Sequence, residues 1–250
     1  MSATTPIRVL VWDENPAHAP KELYPEGING AVAEGLKAFD KENQFVVNVA
    51  NLDDADQGVS VETLANTDVL IWWGHARHGE VEDSLADRVA ARVKKHGMGF
   101  VCLHSGHYSK TFKKVVDGTG HLKGGWREAN DSEQIRVCAP WHPVADGVED
   151  FTIDAEEMYG GPFDVPPCEV LVLQSYFPVG GETFPSGIAW TVGEGIDPEF
   201  TSGPGGGKGQ GHGIGRVFYF RPGHETYGVY FDNRVRKVIY NAVRWTGKLV

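Results

Sequence analysis

With 250 residues, 41% hydrophobic and 23% charged, the chain has the composition of one packed α/β domain rather than of a disordered protein. A formal net charge of −11 argues against the basic face that a nucleic-acid binder carries. Cys102, Cys138 and Cys168 lack zinc-ribbon spacing, which disfavours disulfides and favours a reducing compartment.

Taken in order, Ile7–Trp12 is a short apolar run closed by Asp13-Glu14-Asn15-Pro16, the profile of a first parallel strand. Gly27–Lys41 repeats apolar residues at helical spacing, with Ile28, Val32, Leu36 and Phe39 on one face. Phe45–Ala50 is a second strand, Asn51–Ser60 an acidic linker, and Val61–Ala65 a short helix. Asp68–Trp73 is a third strand that ends in Gly74-His75-Ala76-Arg77-His78. Glu82–Lys95 is helical through Leu85, Val89 and Val93, with Gly97 as its C-cap. Phe100–Leu103 is a fourth strand, broken at His104-Ser105-Gly106-His107 before a helix beginning near Ser109. Three right-handed βαβ crossovers of this kind predict a doubly wound, mainly parallel sheet.

Beyond that helix the texture changes. Gly118–Glu128 is glycine-rich and polar, and Ile135–Cys138, Val170–Leu173 and Ile188–Val192 read as short strands. Gly193–Gly215 is a long loop with eight glycines in its last fifteen residues, the profile of a lid or a solvated tip. Arg216–Phe220 is the last strand, and Asp232–Thr246 a closing helix. No repeat or domain boundary is visible, so residues 1–250 are expected to form a single domain. No basic-then-apolar leader or membrane-length apolar run is present, and a soluble cytoplasmic protein without membrane partners is expected. Self-association is left open.

The carboxyl ends of parallel strands border the ligand crevice, and here they carry imidazoles: His75, His104 with His107, and His224. Imidazole is the commonest metal ligand, often completed by a carboxylate. His75, His104 and His224 are therefore the expected ligands of a divalent metal, zinc or manganese. Glu157 is the first candidate for the carboxylate, as fourth ligand or general base, ahead of Glu225 and Glu128. His107 joins it as an acid–base candidate. Arg221 and Lys110 are expected to hold hydroxyls or developing negative charge, and Trp126, Arg127, Glu128, Tyr159 and Glu225 to contact substrate. Trp72 and Trp73 read as core, and so does Trp126 unless its indole is exposed for sugar stacking. His18, His96, His142 and His212 read as surface or loop. Cys102 should point into the core and be inert. Ser105 lacks the full G-x-S-x-G elbow, and no glycine-rich phosphate loop follows the first strand.

Trp72-Trp73-Gly74-His75, Leu103–Lys110, Trp126-Arg127-Glu128, His142-Pro143, Glu156–Tyr159 and Phe220–Thr226 together resemble the ThuA (trehalose utilisation) family over nearly the whole chain. The resemblance implies a flavodoxin-like fold similar to class I glutamine amidotransferases. In those enzymes a cysteine nucleophile occupies the elbow within C-x-G. Here His104 stands in that position, so glutaminase chemistry has no nucleophile. The resemblance also implies a small carbohydrate partner, a sugar or 3-keto sugar; a 3-keto group acidifies the neighbouring C–H, so a metal and one carboxylate base would suffice for isomerisation, elimination or hydration. Two other readings stay open: a non-catalytic sugar-binding or regulatory protein, and a serine hydrolase using Ser105 with His224.

Overall fold

The computed structural model describes residues 6–193 and 214–250; most of the predicted 193–215 loop lies outside them. The first half alternates as predicted: β1 (Ile7–Asp13), α1 (Gly27–Phe39), β2 (Phe45–Asn51), α2 (Val61–Ala65), β3 (Val69–Trp73), α3 (Asp83–His96) and β4 (Gly99–Leu103). Gly97 closes α3 at φ +70°, with its N–H turned back to the carbonyls of Arg92 and Val93. After a 3-10 turn over His104–Tyr108, α4 spans Lys110–Val116, capped by the Ser109 side chain, which accepts from the Phe112 N–H at 3.1 Å.

The second half holds β5 (His121–Leu122), β6 (Trp126–Val137), β7 (Phe151–Tyr159), β8 (Phe163–Asp164), β9 (Val170–Phe177), β10 (Glu182–Val192), β11 (Gly215–Phe220) and α5 (Asn233–Thr246). The described strands form one large sheet in the order β2-β1-β3-β4-β11-β10-β9-β6-β7, beside a small β5-β8 pair. The first five are mutually parallel, in the strand order of a flavodoxin-like sheet. The remaining four extend it antiparallel. This wing is longer than the sequence predicts. Inward positions of β6 and β7 are filled by Asp131, Glu133 and Glu156, all buried, so the usual alternation of apolar and polar residues is erased there.

Alternation in the parallel strands feeds two cores. Val9, Val11, Val69, Ile71, Val101, Leu103, Phe218 and Phe220 pack against α1 and α5. Leu10, Leu70, Trp72, Phe100, Cys102, Val217 and Tyr219 pack against α3 and α4. Cys102 is therefore core, as expected, and burial pushes its thiol well up. Trp12 and Trp72 stack at 3.7 Å in the second core. No described helix is long and apolar enough to cross a membrane.

His142, expected at the surface, is instead buried. It packs on Trp245, with ring centroids 4.9 Å apart, and its Nδ1 accepts the Val144 N–H at 3.2 Å. Burial, helped by Arg216, lowers the imidazole to about 4 from 6.5. The unfolded chain then binds the extra proton between those values, so this contribution rises with pH and is lost as pH falls through the window. His142→Asn, which keeps a capping acceptor, should lose less stability than the parent between about pH 7 and pH 5 in urea unfolding. An identical loss in both proteins would remove His142 as the cause.

Candidate functional site

The register of the parallel strands builds the site. Trp73 pairs with Leu103, and Leu103 with Phe220, so β3, β4 and β11 end level and deliver their next residues to one rim. His75, His104 and His224 meet there as expected. Their ring centroids lie 5.5 Å (His75–His104), 4.8 Å (His75–His224) and 5.4 Å (His104–His224) apart. One ligand atom from each, with one from Glu225, falls within 4.8 Å of the others.

Each imidazole is fixed from behind. His104 occupies the elbow at φ +50°, a left-handed conformation uncommon for a side chain of its size. The following turn needs Gly106, where a Cβ would come within 2.9 Å of the Cys102 sulfur and 3.1 Å of the Trp72 carbonyl. The Nδ1–H of His104 donates to the Arg221 carbonyl at 3.1 Å, which leaves Nε2 unprotonated and aimed into the cluster, where the Tyr159 hydroxyl lies 3.3 Å from it. Burial, then the neighbouring His75 and His224, keeps this ring well below the usual imidazole range and therefore neutral. His75 Nδ1 lies 2.5 Å from Glu225 Oε1. Its loop is pinned by buried Glu14, which accepts the N–H groups of Ala76 (2.5 Å) and Arg77 (2.9 Å). Burial opposes charge on His75, but Glu225 prevails and raises it. His224 is held through its backbone, as Glu156 accepts the N–H of Gly223 at 2.7 Å and of His224 at 3.2 Å. The Trp73 indole N–H donates to the Gly223 carbonyl at 3.0 Å, tying the same turn to β3.

Glu157 and Tyr159 reach the cluster from β7. Glu157 Oε2 lies 3.3 Å from His104 Nε2 and has no hydrogen-bond partner. Burial raises its carboxyl above the ordinary range. Glu225 goes the other way: burial is outweighed by His75 and the adjoining imidazoles, which hold it at about 2. Its Oε2 is likewise buried without a partner.

Above the cluster opens a cavity of about 410 Å³, lined among others by His75, Ser105, His107, Trp126, Glu128, Glu157, Tyr159 and His224. No lysine or arginine is among the described residues that line it. Trp126 is 66% exposed and stands at its edge, free to stack, rather than in the core. His107 donates from Nδ1 to the Gly120 carbonyl at 2.7 Å, and its buried Nε2 has no partner.

Three expected residues lie elsewhere. Arg221 is fully buried behind the cluster, bound to Glu133 and to the Glu157 carbonyl. Lys110 turns to the Val81 carbonyl and Asp83. Arg127 is held between Asp131 and Glu182. Glu225, expected to touch substrate and second to Glu157 as the carboxylate beside the histidines, joins the imidazoles. His18, read as a loop residue, bonds Glu225 through Nε2; its place in Ala17-His18-Ala19 gives no periodic signal. Ser105 Oγ lies 2.5 Å from the Tyr159 hydroxyl rather than against an imidazole, so the His224 base that the hydrolase reading requires is not its bonded partner.

A family model described as ThuA, trehalose utilisation, matches residues 8–246. Among solved structures, the chain is similar to a ThuA-like protein of Parabacteroides merdae ATCC 43184 at 13% identity and TM-score 0.65, covering 97% of this chain and 90% of that one. A ThuA-like protein of Bacteroides uniformis ATCC 8492 is similar at 16% identity and TM-score 0.59, covering 98% and 93%. PurLQS from Thermotoga maritima is similar at 13% and TM-score 0.51, covering 96% and 99%. These likenesses establish the class I glutamine amidotransferase-like fold. No curated protein sequence matches the chain.

Proposed function

The chain belongs to the ThuA, trehalose-utilisation family, and from that premise we propose that it is a metal-dependent enzyme acting on an uncharged sugar or 3-keto sugar. One observation carries the reading: single ligand atoms of His75, His104, His224 and Glu225 lie within 4.8 Å of one another, while the buried Oε2 atoms of Glu225 and of Glu157, the latter 3.3 Å from His104 Nε2, have no hydrogen-bond partner. Unpaired buried carboxylate oxygens are costly, and a cation placed in the cluster relieves the cost. His75, His104, His224 and Glu225 are the residues that would hold it, and zinc or manganese suits such a nitrogen-and-carboxylate set. When bound, the metal supplies polarisation of a substrate carbonyl.

The remaining work falls to this chain's side chains. A carbonyl acidifies the adjacent C–H, and Glu157, whose carboxyl burial makes more basic, takes that proton at Oε2. Trp126 offers an indole face to the sugar ring, and Glu128 and His107 Nε2 accept hydroxyl protons. The absence of lysine and arginine from the described lining disfavours a phosphate or carboxylate on the substrate. Removal of the proton is common to isomerisation and elimination.

The test is exchange. Protein loaded with zinc or manganese and given 3-ketoglucose in D2O should wash deuterium into the carbon next to the carbonyl, whereas the 6-phosphate ester should exchange poorly. Glu157→Gln should slow exchange by about 10²–10⁴-fold while metal content stays that of the parent. Protein that takes up neither metal and exchanges no hydrogen would sink the proposal, as would Glu157→Gln exchanging at the parent rate.

A further inference from the structure

Glu157 accounts for the proton removed from carbon; the carbonyl oxygen that becomes negative must also receive one. We infer that Tyr159 gives its phenolic proton to that oxygen and recovers it through Ser105. This rests on the metal-and-carboxylate reading above and adds a second proton-carrying arm to it.

Glu157 and Tyr159 stand two apart on β7, the spacing that sends side chains to the same face of a strand, and both line the cavity. Tyr159 is clamped. Its ring stacks on His104 at 5.4 Å and 23°, meets Phe184 edge-on at 5.7 Å, and lies 5.6 Å from the Arg221 guanidinium carbon. Its hydroxyl is thereby fixed between Ser105 Oγ at 2.5 Å and His104 Nε2 at 3.3 Å. Proton accounting then separates donors from acceptors. His104 spends its N–H on the Arg221 carbonyl, and Glu157 Oε2 is unpartnered. The hydroxyl protons in reach are that of Tyr159, beside His104 Nε2, and that of Ser105, beside Tyr159. Burial keeps Tyr159 a phenol, well above its ordinary range. The left-handed elbow at His104 carries Ser105 to the cavity wall, where its hydroxyl can donate to Tyr159 and accept from water at once.

The step balances. The C–H bond breaks and its proton passes to Glu157, while its electron pair forms a carbon–carbon double bond. The carbonyl π electrons move to oxygen, which takes the Tyr159 proton. The Tyr159 oxygen then takes the Ser105 proton, and Ser105 takes one from water in the cavity, whose hydroxide is neutralised by the proton that Glu157 gives up as the site resets.

A purely structural Tyr159–Ser105 bond predicts different results from a proton relay. With 3-ketoglucose and zinc or manganese, Tyr159→Phe, which keeps the stacking on His104, should lower kcat by about 10²–10⁴-fold while KM and metal content stay within about twofold. Ser105→Ala, leaving water to reprotonate the phenolate, should lower kcat by about tenfold. Replacing Tyr159 with 3-fluorotyrosine, a more acidic phenol of nearly the same shape, should move the alkaline limb of the kcat profile to lower pH. Parent-like kcat in Tyr159→Phe, or an alkaline limb that stays put with 3-fluorotyrosine, overturns the relay and leaves the Glu157 reading intact. Parent protein that turns over no 3-ketoglucose overturns the reading on which the relay rests, and the relay with it.

Discussion

His104→Ala is expected to release the metal and to cost about 10³-fold in turnover, several kcal/mol of transition-state stabilisation. The ring is wholly buried and lies 5.5 and 5.4 Å from the rings of His75 and His224. Its Nδ1 bond to the Arg221 carbonyl fixes the tautomer that leaves Nε2 unprotonated. That is the arrangement by which an outer partner orients a ligating histidine, and loss of such a partner alone costs about 10–100-fold in metal affinity. Loss of the ligand itself should cost more. Alanine at φ +50° meets about the same backbone penalty as histidine, so the fold should persist. Metal content after dialysis, read beside the far-UV spectrum, separates the two effects. Full metal occupancy in a folded His104→Ala protein would refute a ligand role for this residue.

How far the sequence foretells this site depends on what each segment buries. The strands that carry His75, His104 and His224 bury hydrocarbon on both faces, so their runs and abrupt ends are visible in the residues themselves, and the register of a parallel sheet does the rest. The antiparallel wing is different. Its inner positions hold Asp131, Glu133 and Glu156, whose burial depends on partners distant in sequence: Glu133 is answered by Arg221, 88 positions away. No window of local periodicity detects such a pair. The same blindness explains why Arg221, correctly placed at a strand end, was expected to face solvent-borne ligand when it faces inward. Trp126 inverts the error, because an indole in a polar stretch can be core or platform, and only the cavity beside it decides. His18 and Glu14 act through chain-distant contacts with Glu225 and the His75 loop, again invisible to spacing.

Arg221→Met should lower the unfolding free energy by about 3–5 kcal/mol, because removing one partner of a buried ionic cluster strands the others. The guanidinium has no solvent exposure. Its Nε donates to Glu133 Oε1 at 2.8 Å, its Nη2 bonds the other Glu133 oxygen, and its Nη1 donates to the Glu157 carbonyl at 2.6 Å. Glu156 Oε2 lies 3.6 Å away. For a chain of this length the loss corresponds to roughly 10 °C or more in Tm. Its pH dependence has a definite sign. Burial raises Glu133 and carries Glu156 to about 7 even with the arginine present, because desolvation outweighs it. Without that cation both carboxyls move further up. A carboxyl whose folded value exceeds its unfolded one binds more protons when folded, so its contribution falls as pH rises through the interval between the two. The deficit of Arg221→Met should therefore be larger at about pH 8 than at about pH 5. Glu133→Leu added to Arg221→Met should recover part of it, as apolar replacement of a whole buried pair often does. A deficit that is the same at both pH values, and is not relieved by the second substitution, would mean that Arg221 contributes packing rather than charge.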